Sequence, residues 1–280
     1  MRPIIHLYAE PACPSLDWEE LAHYLKSLLP LEVEIRGGFF THFPLGEGEM
    51  ESLALGFAQA KIRNPRSLEE LPPLPGEIEY ERRRLTSATS PFGLVYHGEK
   101  VMALLQERLP MQERGLRHLH LVFTNQLLAT WEGDRHHLRV AVFGFPCLIS
   151  TAGLVEAPAK PREYYLLKQQ YAALGMADAA VIGLEQELQD RILRYDDPRM
   201  TEVMKGYAMQ ALFYHLSGDP FCADPQCRLF NAHWQEEVIA AQLKSGRFCP
   251  AHQGKIEEWQ HGEGELANNT AMARPQATSH

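Results

Sequence analysis

The stretch Ala211–Cys227, ALFYHLSGDPFCADPQC, decides how this 280-residue chain is read. It holds a histidine, a glycine three residues on and then two cysteines, inside a longer apolar pattern. Upstream, Met200, Val203, Met204, Tyr207, Ala208, Ala211, Leu212 and Leu216 recur at short helical intervals, which predicts a helix with one wide apolar face. His215 follows Ala211 by one turn and shares that buried side. Gly218 can adopt the left-handed conformation that closes a helix, and Pro220 keeps the helix from resuming.

Downstream of the glycine the spacing is Cys222-x4-Cys227-x21-Cys249-x2-His252. Two short-spaced pairs of metal-ligating side chains are the pattern of a closed tetrahedral zinc site, for which thiolate and imidazole are both suited. The bland alternative is chance clustering of buried thiols. The chain has only five cysteines, so gathering three of them beside a histidine favours the metal.

A helix that ends in glycine just after a histidine is also the active-site frame of the metzincin proteases. There HExxHxxGxxH sets two histidines on one helix face, a glutamate as general base and a third histidine beyond the glycine. Over Ala211–Phe221 only His215 and Gly218 match; the first histidine, the glutamate and the third histidine are Ala211, Leu212 and Phe221. A catalytic zinc needs three protein ligands and an open position for water. A second, catalytic zinc is therefore not expected. His215 is the candidate catalytic residue of the frame; its bland alternative is a core histidine bonded to a main-chain carbonyl.

Over Val203–His252 the sequence resembles the archaemetzincins, in which a signature histidine is followed directly by a cysteine, then C-x4-C and a closing CxxC. Four cysteines hold a structural zinc in that family. The resemblance implies the same role for Cys222, Cys227 and Cys249, with His252 in the place of the fourth cysteine. The family's Met-turn methionine falls at Leu229. The segments VAVFGFPCLIST (140–151) and FNAHWQEE (230–237) are similar to an uncharacterised group of metallopeptidase-like proteins. These likenesses imply an α/β (α+β) metzincin-like zincin domain, with a mixed sheet in the N-terminal half and a helical C-terminal half.

The remaining chain fits a domain of that kind. Residues 3–8 and 31–37 read as strands around a helix that starts in a capping box at Asp17–Glu20, a βαβ opening. Helices are expected near 49–62 and over 98–109, strands over 118–124 and 137–144, and helical pieces from Glu163 to Gly218. His136 and His137 are expected in a loop after Gly133-Asp134, and Cys147 in an apolar strand. His118 and His120 share one strand face and are candidates, with His233, to join His215 in a rebuilt site. Glu163, the Tyr164-Tyr165 pair, Asn231 and His233 are candidates to line a cleft. Residues 1–261 are expected to form one domain with a zinc-binding segment at 222–252, and the polar residues 262–280 a disordered tail.

Composition excludes some roles. An apolar content of 45% supports a sizeable core, and 27 basic against 36 acidic residues leave a net charge of -9, which opposes a nucleic-acid surface. No apolar run is long enough to span a bilayer, and the N-terminus lacks a secretory pattern, so a cytoplasmic setting is expected. Two readings follow: a zinc-stabilised protein that binds a peptide or other ligand without zinc-peptidase catalysis, or a metal-dependent hydrolase rebuilt around His215.

Overall fold

The computed structural model describes residues 3–9, 13–86, 93–176 and 183–261; the expected tail, 262–280, lies outside them. Strand β1 (Ile4–Tyr8) leads to helix α1 (Trp18–Leu28), and strand β2 (Glu32–Arg36) returns parallel to β1 with Ile4 opposite Glu32. The Asp17 carboxylate accepts the Glu20 amide hydrogen at 2.9 Å, satisfying one of the N–H groups a helix start leaves unpaired. Helices α2 (Phe39–His42), α3 (Glu47–Ala60) and α4 (Pro75–Thr86) follow. After strand β3 (Val95–His97), helix α5 (Gly98–Gln106) and a 3-10 turn at Met111–Glu113, strand β4 (His118–Thr124) inserts on the other side of β1, again parallel.

The expected strand at 137–144 is in fact divided between two sheets. Gly133, with φ of 63°, makes a tight hairpin that pairs β5 (Leu127–Glu132) antiparallel with β6 (Arg135–Arg139). His136 and His137 are therefore strand residues and not loop residues, because the turn is shorter than the polar run suggests. Strands β3, β5 and β6 form a three-stranded sheet. After Val140 the chain crosses to β7 (Ala141–Val142), the antiparallel edge of a five-stranded sheet ordered β2-β1-β4-β8-β7, where β8 is Cys147–Ser150. Helix α6 (Thr151–Glu156) then starts earlier than the sequence suggested, since the Ser150 hydroxyl caps it by accepting the Gly153 amide hydrogen at 2.7 Å. Helix α7 (Arg162–Ala173) follows, and later helices α8 (Met200–Ser217), α9 (Gln235–Ile239) and α10 (Pro250–His261). Among the described residues no helix is long and apolar enough to cross a membrane.

Strand parity divides the core. Ile5, Leu7, Leu119, Leu121 and Phe123 face one side of the large sheet and pack with α1 and α8. Tyr8, Val122 and Leu148 face the other, against Phe39, Leu53 and Phe57. Helix α8 is buried beyond its apolar face: Thr201, Gly206 and Gln210 are buried along with Val203 and Leu212, and Glu202 and Lys205 are partly covered. It is enclosed by the sheet, by Leu21 and Leu25 of α1, and by Val238, Ile239 and Ile256. Gly218 ends it at φ 76°, its amide bonded to the Tyr214 carbonyl at 2.8 Å. Gly218→Ala is expected to cost about 1–2 kcal/mol, the strain of an L-residue in that region, read as a lowered urea midpoint.

Candidate metal centre and surrounding site

The side chains of Cys222, Cys227, Cys249 and His252 converge, their ligating atoms all within 4.8 Å of one another. Cys222 Sγ lies 3.8 Å from Cys249 Sγ, and His252 Nδ1 lies 3.8 Å from Cys227 Sγ and 3.0 Å from Cys249 Sγ. All three cysteines are free thiols. A disulfide would hold its sulfurs at about 2.05 Å. A tetrahedral ion with bonds of about 2.3 Å to sulfur sets two sulfurs about 3.8 Å apart, the separation of Cys222 and Cys249.

The local chain prepares these positions. Short bridges pair Cys222 with Phe230 and Cys227 with Arg247, holding the two halves of the cluster in register. Cys249 stands immediately before α10, with His252 in its first turn. Main-chain amides already point at sulfur: Asp224 N–H to Cys222 at 3.4 Å and Cys249 N–H to Cys227 at 3.5 Å. Burial pushes the Cys227 thiol up to about 12. Burial acts on Cys249 in the same sense but is outweighed by hydrogen bonds from the His252 amide, the Cys222 and Cys227 thiols and the Ala251 amide, so this thiol is lowered. Burial also lowers His252, which keeps its imidazole in the neutral, ligating form. A buried thiol such as Cys227 ionises only beside a cation, and a divalent ion would supply that charge.

The protease frame is occupied differently. Ala211 and Leu212 are wholly buried in the core around α8. Phe221 rests edge-on against Phe143 at 5.6 Å, and Tyr214 stacks on the same ring at 5.4 Å. Leu229, at the Met-turn position, is wholly buried. His215 Nε2 is 2.7 Å from the Leu116 carbonyl, to which it donates, and burial lowers its pKa. Asn231 and His233 do line a cleft, of about 120 Å³, shared with Leu138–Ala141, Phe143, Tyr207, Gln210 and Phe221. Tyr164 is buried beside Leu184 and Ile192 in a small separate core, whereas the Glu163 carboxylate is exposed and pairs with Arg191.

His118 and His120 belong elsewhere. They lie on the even-numbered face of β4, opposite the face that packs on α8, and their ring neighbour is His6. The parallel register sets Glu34, His6 and His120 in one row across β2, β1 and β4. Arg36 ties the group together, bonding both Glu113 oxygens at 2.8 and 2.9 Å, Glu34 at 2.7 Å and the Tyr8 hydroxyl at 2.8 Å. Burial pushes His120 down to about 4, and hydrogen bonds from Arg36 hold Glu113 at about 2. Sequence reasoning had the histidines of β4 but not His6, Glu34, Arg36 or Glu113. Alternation in PIIHLY and LEVEIRG put His6 with Tyr8 and Glu34 with Arg36, but only the strand order brings the pairs together.

Comparison with known proteins gives no match among curated ones. Among solved structures, a zinc-dependent peptidase from Methanocorpusculum labreanum is similar over 90% of this chain and 99% of its own, at 13% identity and a TM-score of 0.42. The model of the family described as "Probable metallopeptidase family (DUF6775)" matches residues 1–259, so the chain belongs to that metallopeptidase family.

Proposed function

We propose that this protein is an archaemetzincin-like, metzincin-type member of its family that keeps a structural zinc but not the peptidase centre. In this reading Cys222, Cys227, Cys249 and His252 hold the zinc, and the cleft lined by Phe143, Tyr207, Gln210 and Phe221 binds a peptide without cutting it. When bound, the ion neutralises the thiolates and cross-links the Cys222–Cys227 loop to the start of α10. The observation that carries the reading is the complete burial of Ala211 and Leu212 where a first ligand and a general base would stand. An apolar side chain in a closed core can neither hold a metal nor take a proton from water.

The cleft beside α8 supports a peptide as the ligand. It includes Ala141 of β7, the margin strand of the five-stranded sheet, a position at which an extended peptide can add main-chain pairing. Phe143, Phe221 and Tyr207 offer apolar contact, and Asn231 and Gln210 offer hydrogen bonds. The alternative, a hydrolase rebuilt around His215, draws no support from His118 and His120, which engage His6 on the opposite sheet face.

Digestion of a broad peptide library by the zinc-loaded protein tests the reading, with elemental analysis of wild type and His215→Ala beside it. The expected outcome is no cleavage, and a thiolate-bound zinc retained in full by His215→Ala. Clean cleavage abolished by His215→Ala, or loss of metal in that variant, overturns it.

A further inference from the structure

Among the described residues, two groups bring three or more ligating side-chain atoms within 4.8 Å of one another: the cysteine cluster, and His6, Glu113 and His120. The second group uses no thiol and lies on the sheet face turned away from α8.

Its hydrogen bonds fix where the protons are. The Glu34 carboxylate can only accept, so His6 Nδ1 donates to it at 2.8 Å. Neutral His6 then has a lone pair on Nε2, which receives the His118 Nδ1 hydrogen at 2.9 Å. These two rings have centroids 5.2 Å apart and planes within 6°, so they lie end to end in nearly one plane, a well-aligned contact. His120 Nε2 faces the Glu113 carbonyl at 3.0 Å and must donate to it. Its Nδ1 accepts from the Tyr8 hydroxyl at 3.0 Å, and the Tyr8 oxygen in turn receives Arg36.

Both buried rings thus have Nδ1 held by an outer partner, a carboxylate for His6 and a phenol for His120. His6, donating to a carboxylate, already has the arrangement that orients an imidazole ligand around a metal. Each Nε2 is left to a weaker contact, with another histidine or a main-chain carbonyl; a cation displaces it through a tautomer shift of His118 or His120, and at His120 the Tyr8 hydroxyl also turns from donor to acceptor. Glu113 is ionised, and Glu34 and Glu113 together outnumber Arg36, leaving the group one negative charge in surplus. Two imidazoles and a carboxylate make a set for a divalent transition metal with open positions.

We propose that His6, His120 and Glu113 form a second metal site, binding a divalent transition-metal ion through nitrogen and oxygen, with His118 at its rim. Arg36 shares Glu113 and repels the ion, so this site binds less tightly than the thiolate cluster. The inference is independent of the reading given to the cysteine cluster and the protease frame.

Titration of the full chain with Co2+, followed by absorption and equilibrium dialysis, separates the two sites. Metal at the cysteines gives an intense sulfur-to-cobalt charge-transfer band; metal at the histidines gives only weak ligand-field bands. The expected result is a second saturable equivalent without added sulfur-to-cobalt absorption. His6→Asn abolishes it, and Glu34→Gln weakens it about 10- to 100-fold, while the charge-transfer band stays the same. Glu34 is half exposed, so Glu34→Gln keeps the fold and decides the matter even if His6→Asn does not. No second saturable equivalent, or one with equal affinity in Glu34→Gln, overturns the proposal. A missing charge-transfer band counts only against the structural zinc site.

Discussion

Cys227→Ser is expected to unfold the C-terminal helices at temperatures where Cys147→Ser remains folded. Structural zinc sites contribute about 10–16 kcal/mol of apparent binding free energy, whereas whole domains are stable by only about 5–15 kcal/mol. Loss of one thiolate from the proposed zinc site therefore removes a contribution as large as the stability itself. Cys227 is wholly buried and touches His252 and the Cys249 amide, so a hydroxyl there repairs nothing. Cys147 is just as buried, and burial pushes its thiol up to about 12, but it serves only the Gly144 carbonyl at 3.2 Å. Serine at that position costs about 1–3 kcal/mol, the desolvation of one hydroxyl. Thermal melts followed by far-UV circular dichroism read both variants. A chelator should bring wild type down to Cys227→Ser and leave that variant unchanged. Equal midpoints for Cys227→Ser and Cys147→Ser would count against a zinc at this cluster.

The next largest loss is expected in Glu81→Leu, which touches neither candidate metal group. The Glu81 carboxylate is wholly buried between Lys61 at 2.7 Å, Arg84 at 2.6 Å and the Tyr96 hydroxyl at 2.9 Å. Both cations are themselves buried, and Arg84 Nη2 already has no hydrogen-bond acceptor. Removing the one anion strands two charges in the core beside Phe57, which is expected to cost about 3–5 kcal/mol. Replacing all three together, as Glu81→Leu with Lys61→Met and Arg84→Met, should recover most of that loss, because a buried ion cluster is often no more stable than an apolar one of equal volume. Urea unfolding measures both. A triple variant as unstable as Glu81→Leu alone would show that packing, not charge, sets the cost.

What could be read from the sequence is what depends on neighbours along the chain. The Asp17 cap, the strand alternation of 31–37 and the Gly218 stop are local, and each appears where its residues place it. The cysteine spacing is nearly local, and the two short pairs do meet. The His6 group could not be read, since its members come from β1, β2, β4 and the 3-10 turn and meet only through strand order. The environment of α8 was half legible. Its apolar intervals marked a buried face, but nothing local tells that α1 and α9 cover the rest, so that even Gln210 is enclosed. The split of 137–144 escaped for the same reason, one apolar run serving two sheets.

The order of strands also sets a timetable. Strand β1 can gain β2 once residue 36 has emerged, but its other neighbour, β4, comes only with residues 118–124. Pairings so distant in sequence make folding slow and leave an open strand edge meanwhile. The last pieces come last of all: Cys249 and His252 complete the cluster, and α10 closes on the beginning of the chain, with Gln260 bonded to the Leu28 carbonyl at 2.7 Å and Trp259 against Phe213. During synthesis Cys222, Cys227, Cys249 and His252 can meet only after residue 252 has emerged, so closure of the cluster is a late latch on a sheet whose first pairing joins residues 4 and 32.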